Sequence, residues 1–200
     1  MGALVDPPRA RFAGASGPVP APVRARMAGA SWKDDPRCPP WDDLAYLELD
    51  HVTFDGGAAR GELVVARAIA ADALCLFARL WAIGFPVRRM ELVDDHGADD
   101  ERSMAADNCS AFNFRVVAGT SVLSQHALGR AIDINPVENP WVTHAGFVPE
   151  AGAPYLDRAW IRPGMIVRPH PVTAALDELG WEWGGDWRHA SDYHHVVRRR

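Results

Sequence analysis

The stretch Ser124-Gln125-His126-Ala127-Leu128-Gly129-Arg130-Ala131-Ile132-Asp133-Ile134-Asn135-Pro136 constrains this chain more than any other. A histidine and an aspartate seven positions apart are divided by Gly129 and then by Ala131-Ile132-Asp133-Ile134, whose β-branched residues predict a strand beginning after the glycine. A strand would hold Asp133 rigidly. Gly129 permits a turn too close for a Cβ, so the preceding loop can fold His126 back toward the carboxylate. That is half a site for a divalent cation. Near the C-terminus, Ser191-Asp192-Tyr193-His194-His195-Val196-Val197 places an acid three residues before a histidine and offers a second half. Two histidines and one carboxylate, with the fourth position left to water, is the ligand count of a catalytic rather than a structural zinc.

The rest of the sequence sets the frame for such a site. A chain of 200 residues is long enough for one domain with a substantial core, and 48% apolar residues is ordinary for a globular protein. A net charge of −5 argues against a nucleic-acid partner met by a basic surface, and Arg198-Arg199-Arg200 reads as a solvated tail. Cys38, Cys75 and Cys109 are odd in number and contain no CxxC pair, which disfavours a disulfide framework or a cysteine zinc site. Cys75 is expected in a core; Cys38 and Cys109 would pair only if the fold brought them together. The N-terminus lacks the apolar run of a signal peptide and no stretch approaches the ~20 residues of a membrane span, so the expectation is a cytoplasmic protein as given, with export or release by lysis still open. Residues 1–43 are expected to be a disordered leader, rich in Ala, Pro, Gly and Arg, and an entry loop; residues 44–200 are expected to form the domain.

Along that domain, Leu44 to Phe54 and Gly61 to Val65 bracket Asp55-Gly56-Gly57 and predict a hairpin. From Val65 to Ile83, the recurrence of Ile69, Ala73, Leu76, Phe77 and Leu80 predicts an amphipathic helix that Gly84 and Pro86 end, with a strand over Val87 to Val93. Asp94 to Glu101 lacks the ligand spacing of a calcium loop and reads as solvated acid. Arg115, just upstream of the metal loop, is either a surface ion pair or a fork of donors for a substrate carboxylate or carbonyl. After Pro136 a long connection runs to Pro171, where Pro at N1 and Gly180 at C′ predict a short helix. Trp181, Trp183 and Trp187 wall a cleft or fill the core.

Ser124 to Asp133 matches SxHxxGxAxD, and Gly180 to Trp187 followed by Asp192 to His195 is similar to the GWxWGGDW and DxxH segments of the M15 zinc peptidases. That family includes VanY-like D,D-carboxypeptidases, VanX-like dipeptidases and L-alanyl-D-glutamate endopeptidases. Segments at Gly84 to Met90, Ser103 to Asn108 and Ser110 to Arg115 also resemble it, so the likeness covers roughly residues 45–197. The resemblance implies an α+β fold of the hedgehog/DD-peptidase type, in which a small antiparallel sheet carrying Asp133 and the His195 segment is backed by the helix after Val65. It implies Zn²⁺ held by His126, Asp133 and His195, Asp192 as general base, and Arg115 as stabiliser of the reacting carbonyl oxygen. Ser124 either bonds substrate or shapes its loop. His194 stands where relatives often have an apolar residue and rivals His195, but neighbours on an extended segment point to opposite sides, which favours His195.

The substrate class implied by the resemblance is a peptide containing D-amino acids, the stem peptide of peptidoglycan. Absence of HExxH excludes a thermolysin-like arrangement, and absence of GxSxG disfavours a serine hydrolase. Two departures, Val196 and Val197 after the last metal histidine, leave room for a different class, a zinc-containing binding module that has lost catalysis. A cytoplasmic D-Ala-D-Ala dipeptidase is a further alternative. The sequence sets no oligomeric state.

Overall fold

The computed structural model describes residues 2, 4–6, 8, 10–117 and 119–199. Strand β1 (Gly14–Gly17) and helix α1 (Ala21–Met27) precede the hairpin of β2 (Leu44–Val52) and β3 (Ala58–Ala66), and β1 adds antiparallel to β2 to make a three-stranded sheet. In β2, Leu47 and Leu49 are buried, and Leu47 stands opposite Leu63 in the register. Helix α2 (Ala70–Ala82) then lays Ala73, Leu76, Phe77 and Leu80 against these strands in one apolar cluster. Burying a side chain of Leu or Phe size contributes about 1.5–3 kcal/mol, so this stripe is a main source of stability. Gly84 takes a left-handed backbone at φ 70° and turns the chain out of the helix, as its place before Pro86 predicts.

The predicted strand over Val87 to Val93 shrinks to β4 (Arg89–Met90), because residues Val93–His96 curl into a 3₁₀ turn. Strand β4 runs parallel to β5 (Asn108–Cys109), and helix α3 (Asp100–Ala105) lies between them, capped by the Asp99 carboxylate accepting from the Arg102 N–H at 3.1 Å. The acidic run is therefore partly structural: Asp94 accepts from the Ser31 hydroxyl at 2.8 Å and from the Ser31 N–H at 3.1 Å.

The C-terminal half carries β6 (Ala131–Asp133), β7 (Trp141–Thr143), β8 (Gly146–Val148), α4 (Pro171–Leu179), β9 (Glu182–Trp183), β10 (Ser191–Asp192) and β11 (His195–Val197). Strand β11 lies between β6 and β9, antiparallel to both, while β10, β7 and β8 make a second small antiparallel sheet. Helix α4 begins at Pro171 and ends at Gly180 in the left-handed region, as its sequence predicts. Ile132 and Val196 join the same apolar cluster as α2 and α4, which fixes the sheet that carries Asp133 and His195 to the rest of the core. The architecture is α+β. Among the described residues no helix is long and apolar enough to cross a membrane.

Two further expectations change. Residues 10–30, expected within a disordered leader, are ordered: β1 pairs with β2, and Val19, Val23 and Met27 are buried with Leu44, Val64 and Phe112 in a second apolar cluster. Their spacing of four puts them on one side of the segment, and that burial outweighs the disorder-prone composition. Cys75 is exposed, because the buried stripe of α2 runs through Ala73, Leu76 and Phe77 and leaves position 75 outside it. Cys38 and Cys109 are buried and free, in separate clusters.

Candidate metal centre

The loop from Ser124 to Gly129 presents His126. Ser124 Oγ accepts from the His126 N–H at 3.2 Å, and the chain turns through a short 3₁₀ segment, His126–Leu128, into Gly129 at φ 65°. A Cβ on Gly129 would lie 2.4 Å from the Ala66 nitrogen, and the Ala66 N–H donates to the Gly129 carbonyl at 2.8 Å. Only glycine accommodates both the backbone conformation and that approach. Strand β6 then delivers Asp133 directly opposite His195 on β11.

The three donors converge. His126 Nε2 is 3.1 Å from Asp133 Oδ2 and 3.1 Å from His195 Nδ1, and His195 Nδ1 is 2.9 Å from Asp133 Oδ1. His126, Asp133 and His195 are all buried, and they are the group that could hold a metal ion among the described residues. A tetrahedron with zinc–nitrogen bonds of 2.0–2.1 Å has edges of about 3.3 Å, so the donors already stand near the spacing of one tetrahedral face. The chemistry of the set agrees. His126 Nδ1 lies 2.6 Å from the Ala111 carbonyl, which can only accept, so Nδ1 carries the hydrogen and Nε2 turns a lone pair toward the carboxylate and the second imidazole when the ring is neutral. Acceptors packed together in a dry site require a cation or extra protons between them.

Burial works against charge here, but the facing charges outweigh it. Burial alone would raise the Asp133 carboxyl; the imidazolium charges of His126 and His194 and the hydrogen bonds from His126 and His195 hold it well below the usual carboxylate range. For His126, burial opposes the imidazolium and the Asp133 carboxylate overcomes it, so the group is raised above an ordinary histidine. Without metal the pocket therefore draws in protons, and any cation must displace them.

Around the donors the remaining candidates fall into place unequally. Asp192, on β10, meets His194 Nε2 through Oδ1 at 3.0 Å. His194 Nε2 is 3.9 Å from Asp133 Oδ1, which leaves it outside the donor group. The two adjacent histidines do not simply face opposite ways: His194 sits in a bend before β11, and both rings approach Asp133. Arg115 pairs with Asp100, which also accepts from Asn113 Nδ2 at 2.8 Å, and it lies near enough to His126 for its charge to oppose the imidazolium. Trp181 and Trp183 are core residues, whereas Trp187 is 41% exposed with its ring 5.4 Å from that of His195. Val196 and Val197 are fully buried in the sheet, so these departures fill the core. Sequence reasoning missed the Ala111 carbonyl, Asp100 and Asn139; backbone acceptors and partners from distant segments leave no motif.

Two histidines and a carboxylate at near-tetrahedral spacing could hold a metal ion, and Asp192 lies against the neighbouring His194. Residues 118–197 match the family model described as D-alanyl-D-alanine carboxypeptidase, and this match supports membership of the M15 peptidases. It also supports a peptidase acting on peptidoglycan-related substrates. No curated protein and no solved structure gives a match to the chain.

Proposed function

We propose that this chain is a zinc-dependent peptidase that hydrolyses peptide bonds in the stem peptides of bacterial cell wall, of the D-alanyl carboxypeptidase or endopeptidase type. The observation that carries this reading is the convergence of His126 Nε2, the Asp133 carboxylate and His195 Nδ1 at 2.9–3.1 Å in a buried site. Those three residues would hold the ion. When bound, zinc supplies Lewis acidity for a carbonyl and lowers the pKa of a water molecule to about 7.

The chain's own groups supply the rest. Asp192 accepts the proton of the attacking water and passes it to the departing amine. Arg115 donates to the substrate carboxylate or to the carbonyl oxygen as charge gathers there, and Asp100 holds its guanidinium until substrate arrives. Trp187 offers an aromatic face beside His195 for the peptide. Ser124 shapes its own loop, its buried hydroxyl oxygen accepting from the His126 N–H, and its O–H can still donate to substrate. The retention of Asp192, held against His194 next in sequence to the donor His195, favours an enzyme over a binding module, which has no use for a base.

Replacing Asp192 with Ala is the direct test. Zinc content should stay at the wild-type level while cleavage of a defined muropeptide falls by about 10²–10⁴-fold, the usual worth of a positioned acid–base group. Undiminished cleavage would take the role away from Asp192.

A further inference from the structure

The sheet of β10, β7 and β8 carries Asp192, and a cavity opens on it. The cavity is about 330 Å³ in volume and is lined by Trp141, Thr143, Ala145, Gly146, Phe147 and Val148. We infer that it is the subsite for the residue on the leaving side of the scissile bond, and that it selects an apolar, uncharged side chain there. The inference rests on the proposed peptidase reaction with Asp192 as its base.

Strand register places the cavity beside that acid. Asp192 stands opposite Trp141, and Trp141 stands opposite Val148, in antiparallel pairs. Residues directly opposite in such a ladder project to the same face, and Thr143 rejoins that face two positions along β7. Asp192, Trp141 and Val148 therefore form one row, and the cavity shares their surface. In the proposed reaction Asp192 hands its proton to the departing amine, so the residue that carries this amine starts next to Asp192. The wall at hand for its side chain is the one that Trp141 and Val148 make.

The lining sets the selectivity. None of the six residues is charged. The Thr143 hydroxyl donates to the Gly146 carbonyl at 3.2 Å and accepts from the Ala145 N–H at 3.1 Å, so the turn of the hairpin consumes it. A carboxylate or ammonium group placed there would lose water without finding a counter-charge, whereas an apolar group gains from leaving water. The volume lies at the lower end of the range for small-molecule sites and has room for a side chain larger than a methyl group.

The hairpin is also rigid at its root. A Cβ on Gly152 would lie 2.8 Å from the Pro140 Cβ, so the chain packs tightly just before Trp141. Asn139 is fully buried, its Nδ2 donates to the carbonyls of Ile134 and Gly164 at 3.1 and 2.8 Å, and its Oδ1 accepts from Arg158 Nη2 at 2.9 Å. Walls that do not yield can discriminate by size and polarity.

The test varies the residue after the scissile bond, through glycine, D-alanine, D-leucine and D-aspartate, in a stem peptide cleaved by the zinc-loaded full chain. Wild type should prefer D-leucine to glycine by at least about 10-fold in kcat/KM and should disfavour D-aspartate, since even one methylene in an apolar pocket is worth about 10–200-fold. Ala145→Trp brings a bulky ring to the cavity from the turn, and Trp141→Ala removes its largest wall. Each should lower the leucine-to-glycine ratio by about 10-fold, and a fall in either places the side chain in the cavity. The ratio is indifferent to how much protein is folded or zinc-loaded, because both substrates meet the same active fraction. A wild-type ratio near one, or a ratio that neither variant changes, overturns the inference and leaves the peptidase standing. Failure of the zinc-loaded wild type to cleave any stem peptide removes the peptidase reading and this inference together.

Discussion

Asp133 and Glu138 lie on one short stretch of chain, both buried, and their carboxyl groups are shifted in opposite directions. Imidazoles face Asp133 and hold it well below the ordinary range despite burial. Burial pushes Glu138 up to about 8, and the neighbouring Asp107 carboxylate adds to the rise against the opposing Arg88 guanidinium at 3.1 Å. Burial penalises both charges alike; the sign of the facing groups decides which carboxyl stays ionised. The first is thereby prepared for a cation. The second is prepared to keep a proton, and it braces the Asp133–Asn139 connection through Arg88 and Tyr155.

The largest effect should come from making the two alike. Asp133→Asn removes the anion from the donor face, and zinc content should fall to near zero with hydrolysis down by at least about 10³-fold, since no activated water remains at neutral pH. Metal analysis of the purified variant alongside a muropeptide assay checks this. Next in size is Gly129→Ala, which leaves every donor in place but strains the loop at φ 65° and forces a Cβ against Ala66. A destabilisation of about 1–3 kcal/mol, read as a lower Tm, should accompany weakened zinc binding.

The same reasoning shows why the site was legible in the sequence and parts of the fold were not. Gly129 and the β-branched residues after it encode the turn and strand locally, so His126 and Asp133 could be paired from their spacing; His195 follows from its Asp-x-x-His segment. The β2–β3 hairpin and α2 are likewise written in short-range periodicity. Val19, Val23 and Met27 carry a stripe too, but their value depends on Leu44 and Phe112, which sequence does not place beside them. Glu138 is silent for the same reason. Asp107 and Arg88, which set its titration, come from separate segments.

Smaller effects sharpen the second half of the comparison. Glu138 binds a proton in the native state but not in the unfolded chain between pH 4.5 and about 8, so its stabilisation is complete below that window and is lost as pH rises through it. The limiting slope is about 1.4 kcal/mol per pH unit for one proton. Urea titrations across this range should show the decline in wild type and a flatter profile in Glu138→Gln, with peptidase activity within about twofold because the amide keeps the shape. Asp107→Asn should have the smallest effect, moving the decline to lower pH by removing the facing carboxylate while Arg88 stays. A profile in Glu138→Gln identical to wild type would assign the pH dependence to another group.

The central claim is that His126, Asp133 and His195 hold a zinc ion for peptide hydrolysis. Mass spectrometry of a defined muropeptide mixture with D-alanyl-D-alanine, incubated with the zinc-loaded protein, with chelator, and with chelator followed by zinc, tests it most directly. The account predicts loss of one peptide bond in the first sample, none in the second and recovery in the third. Intact substrates in the first sample, or cleavage indifferent to chelator, would contradict it.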